Sequence, residues 1–226
     1  MLLESNLRGL CDHYGLDYQA FLSDMNVEEP HELTIYDLTA ITEEYEIDLY
    51  SLLFKTLYRP HIWKTKLEKI KLLILDVDGV LTDGGMYASE KGDQFKKYNT
   101  KDGMAILHLT KKLNFQVGII SSGFKGEAVK ARAELLGIQN FYLGRDEKMG
   151  VLKEFCESLE IDLGNVAMIG DDINDLQVIQ NIGFSACPAD AVKVIKSNVD
   201  IVLTKKGGEG CVREFIDEWL LDEPIE

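Results

Sequence analysis

Residues 72–79 read Leu-Leu-Ile-Leu-Asp-Val-Asp-Gly. Four consecutive apolar residues closed by turn formers match a strand buried on both faces, as in the middle of a parallel sheet. Such a strand ends here in two carboxylates one residue apart. Like charges that close destabilise each other unless something positive lies between them. The stretch therefore demands a sheet whose strand ends carry a charged site.

The chain after residue 68 repeats the theme. The apolar runs predict strands over 71–77, 117–121, 141–143, 166–169, 183–187 and 201–203. Amphipathic segments between them predict helices over 103–113, 125–136, 148–159, 175–181, 190–197 and 211–220. Strand and helix in alternation mean an α/β fold, a parallel sheet with helices on both faces. The exception, GGMYASEKGDQFKKYN over 84–99, alternates around Lys91-Gly92-Asp93 and predicts an inserted β-hairpin. Before residue 68 the patterns are helical and punctuated by Pro30 and Pro60, which sets a small N-terminal helical domain (1–66) beside the main domain (69–226).

Ligands of open parallel sheets bind at the carboxyl ends of the strands. Asp76-Val77-Asp78, Ser121-Ser122-Gly123 and Gly170-Asp171-Asp172 fall at such ends, and Lys148 opens a helix after the third strand. Asp76, Asp78, Asp171 and Asp172 converging on one spot require a divalent cation. Oxygen-only ligands with partial hydration favour Mg²⁺. Lys148 and the Ser122-Gly123 turn would supply donors for a phosphoryl group there. A calcium loop is the competing reading of Asp-x-Asp-Gly. It would need an oxygen at its fifth position and Glu at its twelfth, where this chain has Val80 and Tyr87. Taken singly, each acid could be a turn or helix cap, Ser122 a surface residue and Lys148 a solvated one. Their joint order, each after its own strand, is what those readings leave unexplained.

With DVDGVLTDGG, NTKDGMAI, GDDINDLQVI and GGEGCVREF in hand, residues 69–221 resemble the haloacid dehalogenase superfamily of phosphatases. Within it they resemble the small capless enzymes that act on phosphates of 3-deoxy-2-ulosonic acids, eight or nine carbons long. The resemblance implies a Rossmann-like sheet and Mg²⁺-dependent hydrolysis of a sialic-acid-like sugar acid phosphate, as in lipopolysaccharide biosynthesis. It implies Asp76 as nucleophile, Asp78 as general acid and base, and Asp76, Asp78 (through its carbonyl), Asp171 and Asp172 as metal ligands. Ser122, Gly123 and Lys148 would bind phosphate, and Asp175 would orient Lys148. Lys97, Arg132 and Arg213 match positions expected to face the acidic sugar, with a solvated helix face or charged hairpin as the competing reading. It further implies a homotetramer in which the hairpin shapes a neighbour's pocket. At the position after Ser122-Gly123, where the eight-carbon enzymes carry Arg and the nine-carbon enzymes Glu, this chain has Phe124, which leaves the sugar open. A phosphatase for another sugar or nucleotide phosphate is the alternative. A regulator that senses a sugar phosphate is another, though a sensor would not need the second carboxylate.

The N-terminal stretch ELTIYDLTAITEEYEIDLYSLLF is weakly similar to the closing helices of Xre-type helix-turn-helix domains. HYGLDYQAFLSDMNVEEP, just before it, lacks Arg and Lys altogether and offers only Gln19 and Asn26 of the side chains that DNA reading uses. A role in packing or self-association is expected. The net charge of −15 argues against a nucleic-acid or anionic-membrane surface. Four scattered cysteines, no signal-peptide pattern in MLLESNLRGLCDHYG and no membrane-length apolar run point to a cytoplasmic enzyme with reduced thiols.

Overall fold

The computed structural model describes residues 2–54, 61–88, 90, 94–123 and 126–221. The chain divides into two compact units, Met1–Thr65 and Lys66–Glu226. The hairpin tip at Lys91-Gly92-Asp93 and the Phe124 position lie outside the described residues.

The smaller unit is helical. Its elements are α1 (Leu2–Tyr14), α2 (Tyr18–Asp24), a single 3₁₀ turn (Pro30–Glu32), α3 (Ile35–Glu44) and α4 (Leu49–Phe54). Asp17 caps α2 through Ala20 N, and Thr34 with Asp37 forms a reciprocal capping box on α3. Leu7, Leu10, Cys11, Phe21, Leu22, Ile41 and Leu52 close a core of their own. Helix α5 (His61–Leu67) spans the division between the units.

The larger unit holds β1 (Leu72–Leu75), the hairpin strands β2 (Tyr87–Ala88) and β3 (Gln94–Phe95), α6 (Thr100–Leu107), β4 (Gln116–Ser121), α7 (Glu127–Leu135), β5 (Asn140–Leu143), α8 (Lys148–Leu159), β6 (Val166–Ile169), α9 (Leu176–Ile179), β7 (Phe184–Cys187), α10 (Lys193–Lys196), β8 (Ile201–Val202) and α11 (Cys211–Phe215). Six strands form one parallel sheet in the order β5-β4-β1-β6-β7-β8. β1 is buried over its whole length and pairs with β4 on one side and β6 on the other. The chain leaves β1 toward β4 and returns on its other side at β6, so the strand order reverses between β1 and β6. That is where an open α/β sheet opens a crevice. The registers align Leu75 with Ile169, which sets Asp76 and Gly170-Asp171 side by side just beyond. No helix among the described residues is long and apolar enough to cross a membrane.

The predicted strands and long helices match those found, with ends shifted by at most three residues once the wider helical turns that continue α6 to Lys112 and α11 to Leu220 are included. Helices predicted over 175–181 and 190–197 shrink to the single turns α9 and α10. Asp172 and Val192 start those segments from extended backbone, a 3₁₀ turn over Ile173–Asp175 takes up the start of the first, and the helices end at Gln180 and Ser197.

Asp102, in the first turn of α6, is buried and accepts from Arg213 N at 2.8 Å, tying α6 to the start of α11. Burial pushes its carboxyl up to about 6, against the backbone N–H groups of Arg213, Gly210 and Val212. Since the folded value exceeds the ordinary 3.8, the stability tied to this group is present at low pH and lost as pH rises through about 6. Asp102→Asn should therefore gain on the wild type by up to about 3 kcal/mol between pH 4 and pH 7. Denaturant unfolding at both pH values checks this, and a pH-independent difference would contradict it.

Candidate active site

The site begins where β1 stops. Asp76 continues the strand, its N–H donating to Ile169 O at 3.2 Å, and its side chain turns back to accept from Val77 N at 2.7 Å. Gly79 adopts φ +84°, and a Cβ there would collide with the Asp171 carboxylate. Only glycine allows the chain to turn away from β1 and leave room for the acid arriving from β6. The GGEG motif braces this turn from outside. Gly208 N donates to Val80 O at 2.9 Å, Cys211 Sγ to Val80 O at 3.4 Å, and a Cβ on Gly207 would strike Gly79 O.

Lys148, the first residue of α8, is buried and reaches both Asp76 Oδ2 (2.8 Å) and Asp175 Oδ1 (2.7 Å). Asp175 in turn accepts from Asp171 N (3.0 Å) and Asp172 N (3.4 Å) through its other oxygen. The orienting contact expected of Asp175 is thus present as a hydrogen bond. Burial works against the Lys148 ammonium, yet Asp76 and Asp175 outweigh it and raise its pKa. Burial and then Asp175 push Asp76 above the ordinary carboxylate range, Lys148 cancelling only part.

Asp171 shows the strain most clearly. Burial, then Asp76, Asp175 and Asp172, push its carboxyl up to about 7. Its Oδ1 is buried without a hydrogen-bond partner among the described residues. Oxygens of Asp76, Asp171 and Asp175 lie within 4.8 Å of one another. A buried acceptor left unpaired beside other carboxylates fits a hard divalent cation, which needs such oxygens. Asp172 differs: it is exposed and its side chain caps Ile173 N at 2.7 Å, so it stands at the rim of the cluster.

A cavity opens over this cluster, lined among others by Asp76, Asp78, Ser122, Gly123, Asp171 and Asn174. Asn174 Nδ2 donates to Ser122 Oγ at 3.4 Å. The hairpin side of the cavity carries Met86 and Lys96. Lys96, which the sequence did not single out, donates to Asp78 Oδ1. The three cations expected near the sugar stand elsewhere in this chain. Lys97 is exposed and 3.6 Å from Asp83. Arg132 lies against Gly103, 5.5 Å from the Tyr98 ring centre, and Arg213 pairs with Asp217. None of the three lines the cavity.

A family model described as haloacid dehalogenase-like hydrolase matches residues 140–216. The chain is similar to the 3-deoxy-D-manno-octulosonate 8-phosphate phosphatase of Salmonella typhimurium, 41% identical over 162 residues that span 72% of this chain and 85% of that protein. The structure of the enzyme of that name from Yersinia pestis superposes with a TM-score of 0.67 at 35% identity, over 70% of this chain and 85% of that one. The Moraxella catarrhalis structure, in complex with magnesium, phosphate and a KDO molecule, gives 0.66 at 32% identity over 71% and 90%.

Asp171 yields a test of the cation site. A carboxyl raised to about 7 loses its stabilising contribution as pH rises through that value, so at pH 8 the metal-free wild type bears the cost of its charge. Metal-free Asp171→Asn should be more stable there by on the order of 1 kcal/mol. Mg²⁺ should raise the thermal midpoint of the wild type and leave the variant where it was. Equal stabilisation of both by Mg²⁺, read by scanning calorimetry, would place the cation elsewhere.

Proposed function

The chain belongs to the haloacid dehalogenase-like hydrolases, and from that premise we propose that it is the Mg²⁺-dependent phosphatase of a 3-deoxy-2-ulosonic acid phosphate, 3-deoxy-D-manno-octulosonate 8-phosphate first among them. The observation that carries the reading is the pair Asp76 and Asp78 on one turn at the reversal of strand order, faced by Lys148 and Asp171.

In this reading Asp76 attacks phosphorus in line, the bond to the sugar oxygen breaks, and Asp78 gives that oxygen its proton. Water then attacks the aspartyl-phosphate and Asp78 takes the water's proton, releasing phosphate and restoring Asp76. Lys148 spends two of its three ammonium donors on Asp76 and Asp175, which supports a role for the third on a phosphoryl oxygen. Ser122 and the backbone at Gly123 lie across the cavity as further donors. The Asp76 carboxylate, the Asp78 carbonyl and Asp171, with Asp172 through water, would hold Mg²⁺, which supplies the positive charge that the crowded phosphoryl and carboxylate oxygens need.

The sugar's carboxylate calls for a cation, and Lys97, Arg132 and Arg213 stand outside their own chain's cavity. The working form is therefore proposed to be a homotetramer in the cytoplasm, where a neighbouring copy completes the pocket. The exposed Met86, Tyr87 and Phe95 on the hairpin support burial against another copy. The smaller unit carries twelve acids and only Arg8 as a base over residues 2–54, which favours a packing or self-association role over a DNA-reading one.

Phosphate release with Mg²⁺ from the eight-carbon and nine-carbon ulosonate phosphates, against common sugar and nucleotide phosphates, tests the substrate. One ulosonate should lead by a hundredfold in kcat/KM, about 2.7 kcal/mol of discrimination; a flat profile would remove the sugar assignment. Asp76→Asn should abolish turnover in a folded chain, and residual activity within tenfold of wild type would remove it as nucleophile. Asp78→Asn should cripple turnover while still forming phosphoenzyme from an activated aryl phosphate, as seen by acid trapping.

A further inference from the structure

The Asp78 carboxylate is poorly held by its own turn. Its side chain is 44% exposed, and the contact it makes there is a long one, with Thr82 Oγ1 at 3.4 Å. A flexible carboxylate at a cavity mouth samples several rotamers, and each rotamer away from the reacting atoms lowers the rate. The strong partner comes from outside the turn. Lys96, just past β3, donates to Asp78 Oδ1 with only 15% of its side chain exposed. It is the one Lys or Arg among the described residues lining the cavity.

The arm that carries Lys96 is itself anchored. Two residues on, Tyr98 pairs with Thr82 in a β-bridge, and Asn99 donates to Gly208 O at 3.3 Å while capping α6. Phe95 and Lys97, on the opposite face of this extended stretch, point out and are 62% exposed as a residue and 67% exposed at the side chain respectively. The strand period thus delivers Lys96, and not its neighbour, to Asp78.

We propose that Lys96 is a positioning residue that holds Asp78 to receive the proton of the attacking water. The proposal rests on the phosphatase reading above. An ammonium bonded to one carboxylate oxygen holds that group against rotation through a charge-assisted hydrogen bond, and the second half of the reaction needs the group held where it can take a proton from water. In that step the water oxygen bonds to phosphorus, the bond from phosphorus to the Asp76 oxygen breaks, the water's proton passes to Asp78, and inorganic phosphate leaves. Lys96 touches none of the reacting atoms; it acts by keeping the Asp78 oxygen aimed at the water. The β-hairpin thereby becomes part of the machinery of its own chain, in addition to any part it takes in assembly.

The test compares wild type, Lys96→Met and Lys96→Arg in the full chain with Mg²⁺ and the best substrate of the panel. With Lys96→Met, kcat should fall at least tenfold, KM should stay within threefold, and single-turnover phosphorylation of Asp76 should stay within threefold. Acid-trapped phosphoenzyme should accumulate at least fivefold above wild type, and Lys96→Arg should recover most of the lost turnover. Phosphorylation that slows in step with turnover, a rise in KM alone, or unchanged kinetics each overturn the proposal. Crystal structures of wild type and Lys96→Met give a readout independent of turnover: Asp78 should hold one rotamer in the first and several in the second, and a single unchanged rotamer in both also overturns it. Should the wild type release no phosphate from any substrate, the phosphatase reading is what fails, and the Asp78 rotamers then decide whether Lys96 holds that side chain.

Discussion

Lys148 stands buried between Asp76 and Asp175, and the carboxyl end of the sheet is organised around that one ammonium. Three elements meet there: the end of β1, the loop after β6 and the first turn of α8. A buried charge without a partner costs several kcal/mol, so removing Lys148 would leave two carboxylates that must either take up protons or admit water. The clamp also explains why Asp171 is left over. Asp175 spends its second oxygen on the backbone of Asp171 and Asp172, which aims the Asp171 carboxylate at Asp76 with one oxygen unpaired. Excess negative charge at one point of a rigid frame is the condition for holding a divalent cation together with a phosphate.

Topology supplies the rigid frame. Reversal of strand order between β1 and β6 opens the sheet at the pair of strands whose ends carry the acids. The glycines of GGEG and Gly79 then let three backbone segments approach more closely than side chains would permit. GGEG therefore serves the site without contributing a reacting group. It fixes the turn on which Asp76 and Asp78 sit. Among the described residues, the hairpin segment brings Lys96 and the exposed Met86 to the cavity lining.

Much of this is legible in the sequence. Four buried apolar residues ending in Asp-x-Asp are local facts, and the identity of the strand and, with the other strand-end clusters, the crowding of acids follow from them. Lys148 was legible only jointly with the other clusters, since a lone lysine opening a helix reads as a solvated one. What was not legible lies where sequence distance is large. Lys97, Arg132 and Arg213 were expected at the sugar, yet in one chain they pair with Asp83, rest on Gly103 and pair with Asp217. Asp102 gave no signal as a charged residue, because its partners are backbone N–H groups of α11, 111 residues away for Arg213.

The contrast between Lys96 and Lys97 states the division most sharply. The sequence by itself determined the chemistry available: which carboxylates stand at strand ends, that a cation must join them, and that a charged hairpin follows β1. It did not determine which of two adjacent lysines faces Asp78. In extended chain neighbouring side chains point to opposite faces, so a shift of one residue exchanges them. The bridge between Thr82 and Tyr98 and the bond from Asn99 to Gly208 set that register. Both are long-range contacts, and long-range contacts exist only once the chain has folded.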